Sequence, residues 1–185
     1  MVDSALVIPV GLPTRLERLR RTYDSDALWL PAHITVLLPF APAAEKEAVT
    51  PRLAAALAAA QPFEAVVSGV GTFASAERVV VYLRLASRNR LEALFAAVHQ
   101  SFPDYPPYAG LHDSVVPHIT VARVAPRAAA SVISLVRQAL RASAPVVVPV
   151  RSVEWLIPAL ERRCRTVVRL ALPLRAAKPA MDPEA

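Results

Sequence analysis

Short β-branched apolar runs alternate along this chain with stretches whose apolar residues recur three or four apart. The runs predict strands over residues 5–10 (ALVIPV), 32–38 (AHITVLL), 63–73, 78–85, 117–124 (PHITVARV), 146–156 and 166–172. Leu16 and Leu19, set among charges, predict an amphipathic helix over 13–23, opened by a proline whose fixed φ suits a first turn. Residues 90–102 and 128–142 predict two more helices. The alanine-rich stretch 43–60 predicts another that Pro51 splits or restarts, because proline has no N–H for the helical ladder. A proline-rich loop over 103–116 (with PDYPPYAG) intervenes before the strand at 117. After Leu174 two prolines and few large apolar residues predict a flexible tail over 175–185.

The order strand, helix, strand, helix, strand covers residues 5–73 and recurs over 78–156, with one more strand to 172. His-Ile-Thr-Val occurs at 33–36 and again at 118–121, each time close behind a proline and on a predicted strand. This pattern predicts a duplication whose two halves pack as one domain, residues 1–174. Side chains alternate faces along a strand, so His33 and Thr35 share one face while Ile34 and Val36 anchor the other; His118 and Thr120 repeat the arrangement. Were the halves related by an approximate two-fold axis, both polar pairs would converge on one cleft.

That convergence suits a phosphate ester. Histidine titrates near neutrality, so one imidazole can take a proton from a hydroxyl or water while the other gives one to the departing oxygen. The threonine hydroxyls can donate to non-bridging oxygens whose charge grows in the transition state. His99, on a predicted helix, and His112, in a loop, lack these surroundings and are read as structural.

Composition narrows the chemistry further. The chain has 185 residues, 55% of them hydrophobic and 19% charged, enough apolar material for a sizeable core and too much for global disorder. No run is long enough for a membrane helix, and no basic leader precedes a hydrophobic segment, so no membrane attachment or signal peptide is expected. The single cysteine, Cys164, has no internal disulfide partner, which fits a cytoplasmic setting. The net charge of +6 favours polyanions such as RNA or phosphate esters. With only four glycines, no glycine-rich phosphate loop can form, so a phosphate site must be built from side chains.

Two HxT motifs on strands, in a chain of this size, resemble the 2H phosphoesterase superfamily, and within it the 2′-5′ RNA ligase-like proteins that include RNA 2′,3′-cyclic phosphodiesterases. PAHITVLLPF, FEAVVSGVGTF with RVVVYLRL, and PPYAGLHDSVVPHITVARV carry the resemblance in order and spacing, over roughly residues 5–172. It implies an α+β fold, duplicated and bilobal, with two antiparallel sheets and outer helices around a central V-shaped cleft. By match, His33 and His118 are the acid/base pair and Thr35 and Thr120 contact the phosphate. In several relatives an arginine five residues after the second histidine also contacts phosphate, and Arg123 stands there; Leu38 holds the corresponding place in the first motif. Strand alternation puts Arg123 on the face opposite Thr120, so reaching the site takes a bulge or the strand end, and a surface salt bridge is its alternative role.

Tyr105 and Tyr108, in the loop before the second motif, are candidates for stacking on a base; Phe40 and Phe73 are read first as core. The basic segment 161–165 (ERRCR) is expected to be a solvated turn, able to steer anions if it lies at the cleft mouth. The expected activity is metal-independent opening of 2′,3′-cyclic phosphate termini of RNA or nucleotides, without a cofactor, and with 2′-5′ ligation as its reverse. Two alternatives stay open: a module that binds RNA or nucleotide phosphate without chemistry, and a divalent metal site on His33 and His118. The second lacks ligands: catalytic zinc takes three protein ligands, no carboxylate cluster accompanies the histidines, and Asp104 and Asp113, in the loop before the second motif, are unsupported as ligands.

Overall fold

The computed structural model describes residues 4–86, 88–112, 115–159 and 163–174; the tail predicted over 175–185, Asp113, and Glu161 and Arg162 lie outside the described residues. The apolar runs form strands β1 (Ser4–Pro9), β2 (His33–Phe40), β3 (Phe63–Ala74), β4 (Val79–Leu85), β5 (His118–Val124), β6 (Val147–Val150), β7 (Ser152–Ala159) and β8 (Arg163–Ala171). Between them lie helices α1 (Thr14–Tyr23), α2 (Lys46–Leu57), α3 (Arg88–Ser101) and α4 (Pro126–Arg141). The class is α+β.

Two predicted elements differ in detail. Pro51 neither splits nor restarts its helix but sits inside α2. Glu47, whose carbonyl loses its usual partner, and Pro51 itself are both exposed, so water can serve the freed carbonyl. The strand predicted over 146–156 is two strands, because the chain changes neighbours at Arg151: β6 pairs with β3 and β7 pairs with β1. Pro149 is tolerated in β6 because that strand lies at the edge of the sheet.

All pairings are antiparallel, and the strands run in one order of eight, β6-β3-β4-β5-β2-β1-β7-β8. Where the resemblance implies two sheets, here the two groups of four join through a single residue pair, Ile34 opposite Ile119. Both isoleucines are fully buried, each worth about 1.5–3 kcal/mol of apolar burial, so hydrophobic anchoring compensates for a sparse hydrogen-bonded seam. The order reads alike from the centre outward. β2 is followed by β1 and then β7 on one side, and β5 by β4 and then β3 on the other. Because β6 and β7 are consecutive in the chain yet lie in opposite groups, the sheet must curl. Helices cross over in the same sense: α1 packs on β5 and α4, while α3 packs on β2 and α2. The HxT strands are therefore the two central ones, covered behind by helices and open in front. No helix among the described residues is long and apolar enough to cross a membrane.

Candidate active site

Antiparallel register around Ile34 and Ile119 places His33 across from Thr120 and Thr35 across from His118. Each imidazole thus faces the hydroxyl of the other motif, and the two imidazoles lie on the diagonal, where residues of neighbouring strands stand roughly 7–8 Å apart and their Cβ atoms somewhat closer. All four side chains line one cleft of about 1000 Å³.

The rings are oriented alike. The Nδ1–H of His33 donates to the Pro31 carbonyl at 2.8 Å, and the Nδ1–H of His118 donates to the Val116 carbonyl at 2.7 Å. A carbonyl can only accept, so each neutral ring carries its proton on Nδ1 and leaves the Nε2 lone pair free. Burial pushes His33 down to about 4; its carbonyl partner opposes this, and the charges of Arg20, Arg123 and His118 add to the drop. Burial likewise lowers His118, with Arg123 contributing. An arriving phosphate anion would reverse both trends by favouring the protonated form.

The second histidine has an aromatic wall. Phe73 meets the His118 ring edge-on at 5.0 Å between centroids, and Tyr82 lies tilted at 5.1 Å. Phe73 stacks on Tyr82 at 4.4 Å, and space for Tyr82 exists because residue 71 is glycine: a Cβ there would stand 2.4 Å from Tyr82 Cζ. Phe73 lines the cleft and is 40% exposed, whereas Phe40 is core.

Arg123 reaches the cleft through a bulge. Tyr82 pairs with Thr120 and Val81 with Ala122, so Val121 is an extra residue, and Val121 and Ala122 are both buried. Alternation restarts one residue late, and Arg123 returns to the face of His118 and Thr120. β2 does the same: Val7 pairs with Thr35 and Leu6 with Leu37, Val36 is extra, and Leu38 lines the cleft. The two matched positions are therefore one cation and one apolar side chain. The Arg123 guanidinium pairs with Asp24, and its Nη1 stands 3.0 Å from Asp26 Oδ2.

The two loop tyrosines part company. Tyr108 lines the cleft with Thr35, its ring 5.4 Å from His112; burial raises its phenol. Tyr108 and Ala109 both adopt left-handed backbone, φ 51° and 54°, a strained conformation for residues with a Cβ. Tyr105, expected as a second stacking candidate, is not among the cleft residues. Its ring packs on Phe40 at 5.5 Å and its hydroxyl donates to Glu45 at 2.9 Å, on the side where α2 begins. His99 is structural, its Nε2 bonded to the Val36 carbonyl at 2.8 Å beneath the first motif. His112, read as structural, instead lines the cleft, exposed at its rim. Cys164 lines the cleft wall within β8, so this part of the basic segment is strand rather than turn.

Sequence reasoning also passed over Asp26, Trp29 and Arg78, which line the cleft, and Asp24 behind it. The acids carried one usable signal: Asp24 and Asp26 flank Ser25 where α1 ends, a composition typical of a capped turn, and Asp24 accepts from the Asp26 backbone N–H. No group of three or more His, Cys, Asp or Glu among the described residues is placed to hold a metal ion.

Residues 8–159 match the family model of the 2'-5' RNA ligase superfamily. No curated protein gives a significant match. Among solved structures, E. coli LigT complexed with 3'-AMP is similar at 16% identity, over 94% of this chain and 99% of that one, with a TM-score of 0.62. TT0787 of Thermus thermophilus is 16% identical over 92% and 98%, at 0.54. Kluyveromyces marxianus Usb1 with uridine monophosphate is 11% identical over 92% and 98%, at 0.52. At these identities the likeness to the solved structures is one of fold.

Proposed function

This chain belongs to the 2'-5' RNA ligase superfamily, and we propose that it opens 2′,3′-cyclic phosphates at RNA termini or on nucleotides. Membership supports a phosphoesterase acting on RNA or nucleotides; the cyclic diester and the residue roles are our reading. One observation carries it: both HxT histidines have Nδ1 tied to a carbonyl, leaving two free Nε2 atoms and two threonine hydroxyls in one cleft.

In the proposed reaction a water attacks phosphorus while its proton passes to the neutral Nε2 of one imidazole. The bond from phosphorus to one ribose oxygen breaks, and that oxygen takes the proton carried on Nε2 of the other imidazole. His33 and His118 share these two parts, and the same transfers with a 5′-hydroxyl in place of water, the bond from phosphorus to O3′ breaking, would join that hydroxyl to the cyclic phosphate as a 2′-5′ linkage. Thr35 and Thr120 donate to the non-bridging oxygens as their charge grows. Arg123 supplies a fixed positive charge beside them, while Leu38 leaves the other flank without one. Tyr108, beside Thr35 in the cleft, offers its ring to a base, and Phe73 offers a second, exposed ring at the His118 side. The proposed partners are RNA or nucleotides in the cytoplasm.

The test is turnover of 2′,3′-cyclic mononucleotides and short oligonucleotides ending in the cyclic phosphate, with and without EDTA, with the products resolved as 2′- or 3′-monoesters. We expect a single monoester regioisomer and no loss of rate on chelation. Tight binding without turnover across the panel would replace this reading with a phosphate-binding module, and activity abolished by EDTA would overturn the metal-free scheme.

A further inference from the structure

Among the described residues the fixed charges lining the cleft are Arg78, Arg123 and Asp26. Arg78 stands exposed at the rim. The inner pair belongs to a ladder that runs into the protein. Arg20 is 1% exposed, its Nη2 donates to the Leu30 carbonyl at 2.6 Å, and its Nε stands 3.8 Å from Asp24 Oδ2. Asp24, 2% exposed, bonds Arg123 with its other oxygen. A buried carboxylate needs such partners and a buried guanidinium needs a carboxylate: Asp24 lies between Arg20 and Arg123, and Glu17 stands 3.7 Å from the Nη1 of Arg20.

Asp26 is not required by that ladder. Its side chain is 35% exposed and faces the cleft, and it meets the Arg123 Nη1 that Asp24 already holds. A second carboxylate on that guanidinium works against any phosphate that comes to it. Its effect depends on the ligand's charge. A cyclic or linear phosphodiester carries one negative charge, whereas the monoester left by hydrolysis, with a second pKa near 6, carries close to two above neutrality. Repulsion from a fixed carboxylate grows with that charge.

We propose that Asp26 sets the charge class the cleft accepts, admitting singly charged phosphodiesters and expelling doubly charged monoesters. The inference rests on the reading of the cleft as a phosphodiester site, and it gives Asp26 a part in specificity and product release while Asp24 keeps Arg123 in place. One extra unit charge about 6 Å from the carboxylate, at an effective dielectric constant of about 40, alters affinity about tenfold.

Calorimetry at pH 8 would measure the binding of two probes, adenosine 2′-monophosphate and its methyl diester, to wild type, Asp26→Asn and Asp26→Ser. We expect the ratio of the monoester to the diester dissociation constant to fall about tenfold in both variants, and the difference from wild type to shrink in 0.5 M salt. An unchanged ratio, including equal tightening of both probes, would overturn the inference and leave the catalytic reading standing. Wild type that binds neither probe would overturn both.

Discussion

Gly71→Ala tests how the aromatic wall supports the second histidine. A Cβ at this position would lie 2.4 Å from Cζ, 2.6 Å from Cε2 and 2.7 Å from the hydroxyl oxygen of Tyr82. Ordinary contact begins near 3.4 Å, so the ring must move by about 1 Å. Tyr82 is buried and stacked on Phe73, so it cannot swing into solvent, and its shift is passed to the His118 ring it touches. Overpacking of this kind costs about 1–3 kcal/mol. For a chain of this size, that lowers Tm by about 2–12 °C. Displacing a proton-transfer group by up to about 1 Å costs up to about a hundredfold in rate. Thermal melting and cyclic nucleotide turnover would be measured beside Gly11→Ala, where an added Cβ meets nothing within 4 Å. Adding Tyr82→Leu to Gly71→Ala removes the clashing atoms, so the double variant should regain stability relative to Gly71→Ala alone. Gly71→Ala with unchanged Tm and turnover would refute the proposed support of His118 by this wall.

Two further predictions separate residues of similar type and follow protons. Tyr108→Phe, which removes a polar group lining the cleft beside Thr35, should lower kcat/KM about two- to tenfold, the range of one hydrogen bond to a bound ligand, whereas Tyr105→Phe should change it less than twofold because its Glu45 bond lies outside the cleft; equal effects in steady-state assays would contradict the assignment. Because burial holds His33 near 4 against an ordinary value of 6.5, the unfolded chain takes up that proton first. Stability should therefore fall as pH drops from about 6.5 and level off below about 4, and His33→Gln should flatten that slope in urea denaturation at pH 7 and pH 4.5. The same slope in the variant would show that this imidazole is not the partly buried, neutral group described.

What the sequence made legible follows the range of the forces involved. The doubled His-Ile-Thr-Val pattern carries its own strand period, and both copies lie on the two central strands with their polar pairs in one cleft. Strict alternation misplaces Arg123 because it takes the strand as regular. The irregularity was written as two successive apolar residues, Val121 and Ala122, which a bulge buries together, and Val36 with Leu37 repeats it. Pro51 and the break at Arg151 were harder, since local propensity does not say which helix face meets water or which neighbour a strand leaves. Tyr105 and Tyr108 look alike in sequence, and only the left-handed turn at Tyr108 and Ala109 sends the latter tyrosine over Thr35. Asp24 and Asp26 acquire their meaning from Arg20 and Arg123, the second of them far along the chain, a pairing that tertiary contact alone creates.

In the proposed reaction one imidazole from each motif acts on the same phosphorus as a coupled pair. The direct measurement is kcat for 2′,3′-cyclic nucleotide opening by His33→Ala, His118→Ala and the double variant, with folding verified by melting. Each single change should cost at least about a thousandfold, and the double variant should be scarcely worse than either, because groups that act as one unit are lost together. Either single variant turning over within tenfold of wild type would contradict the claim.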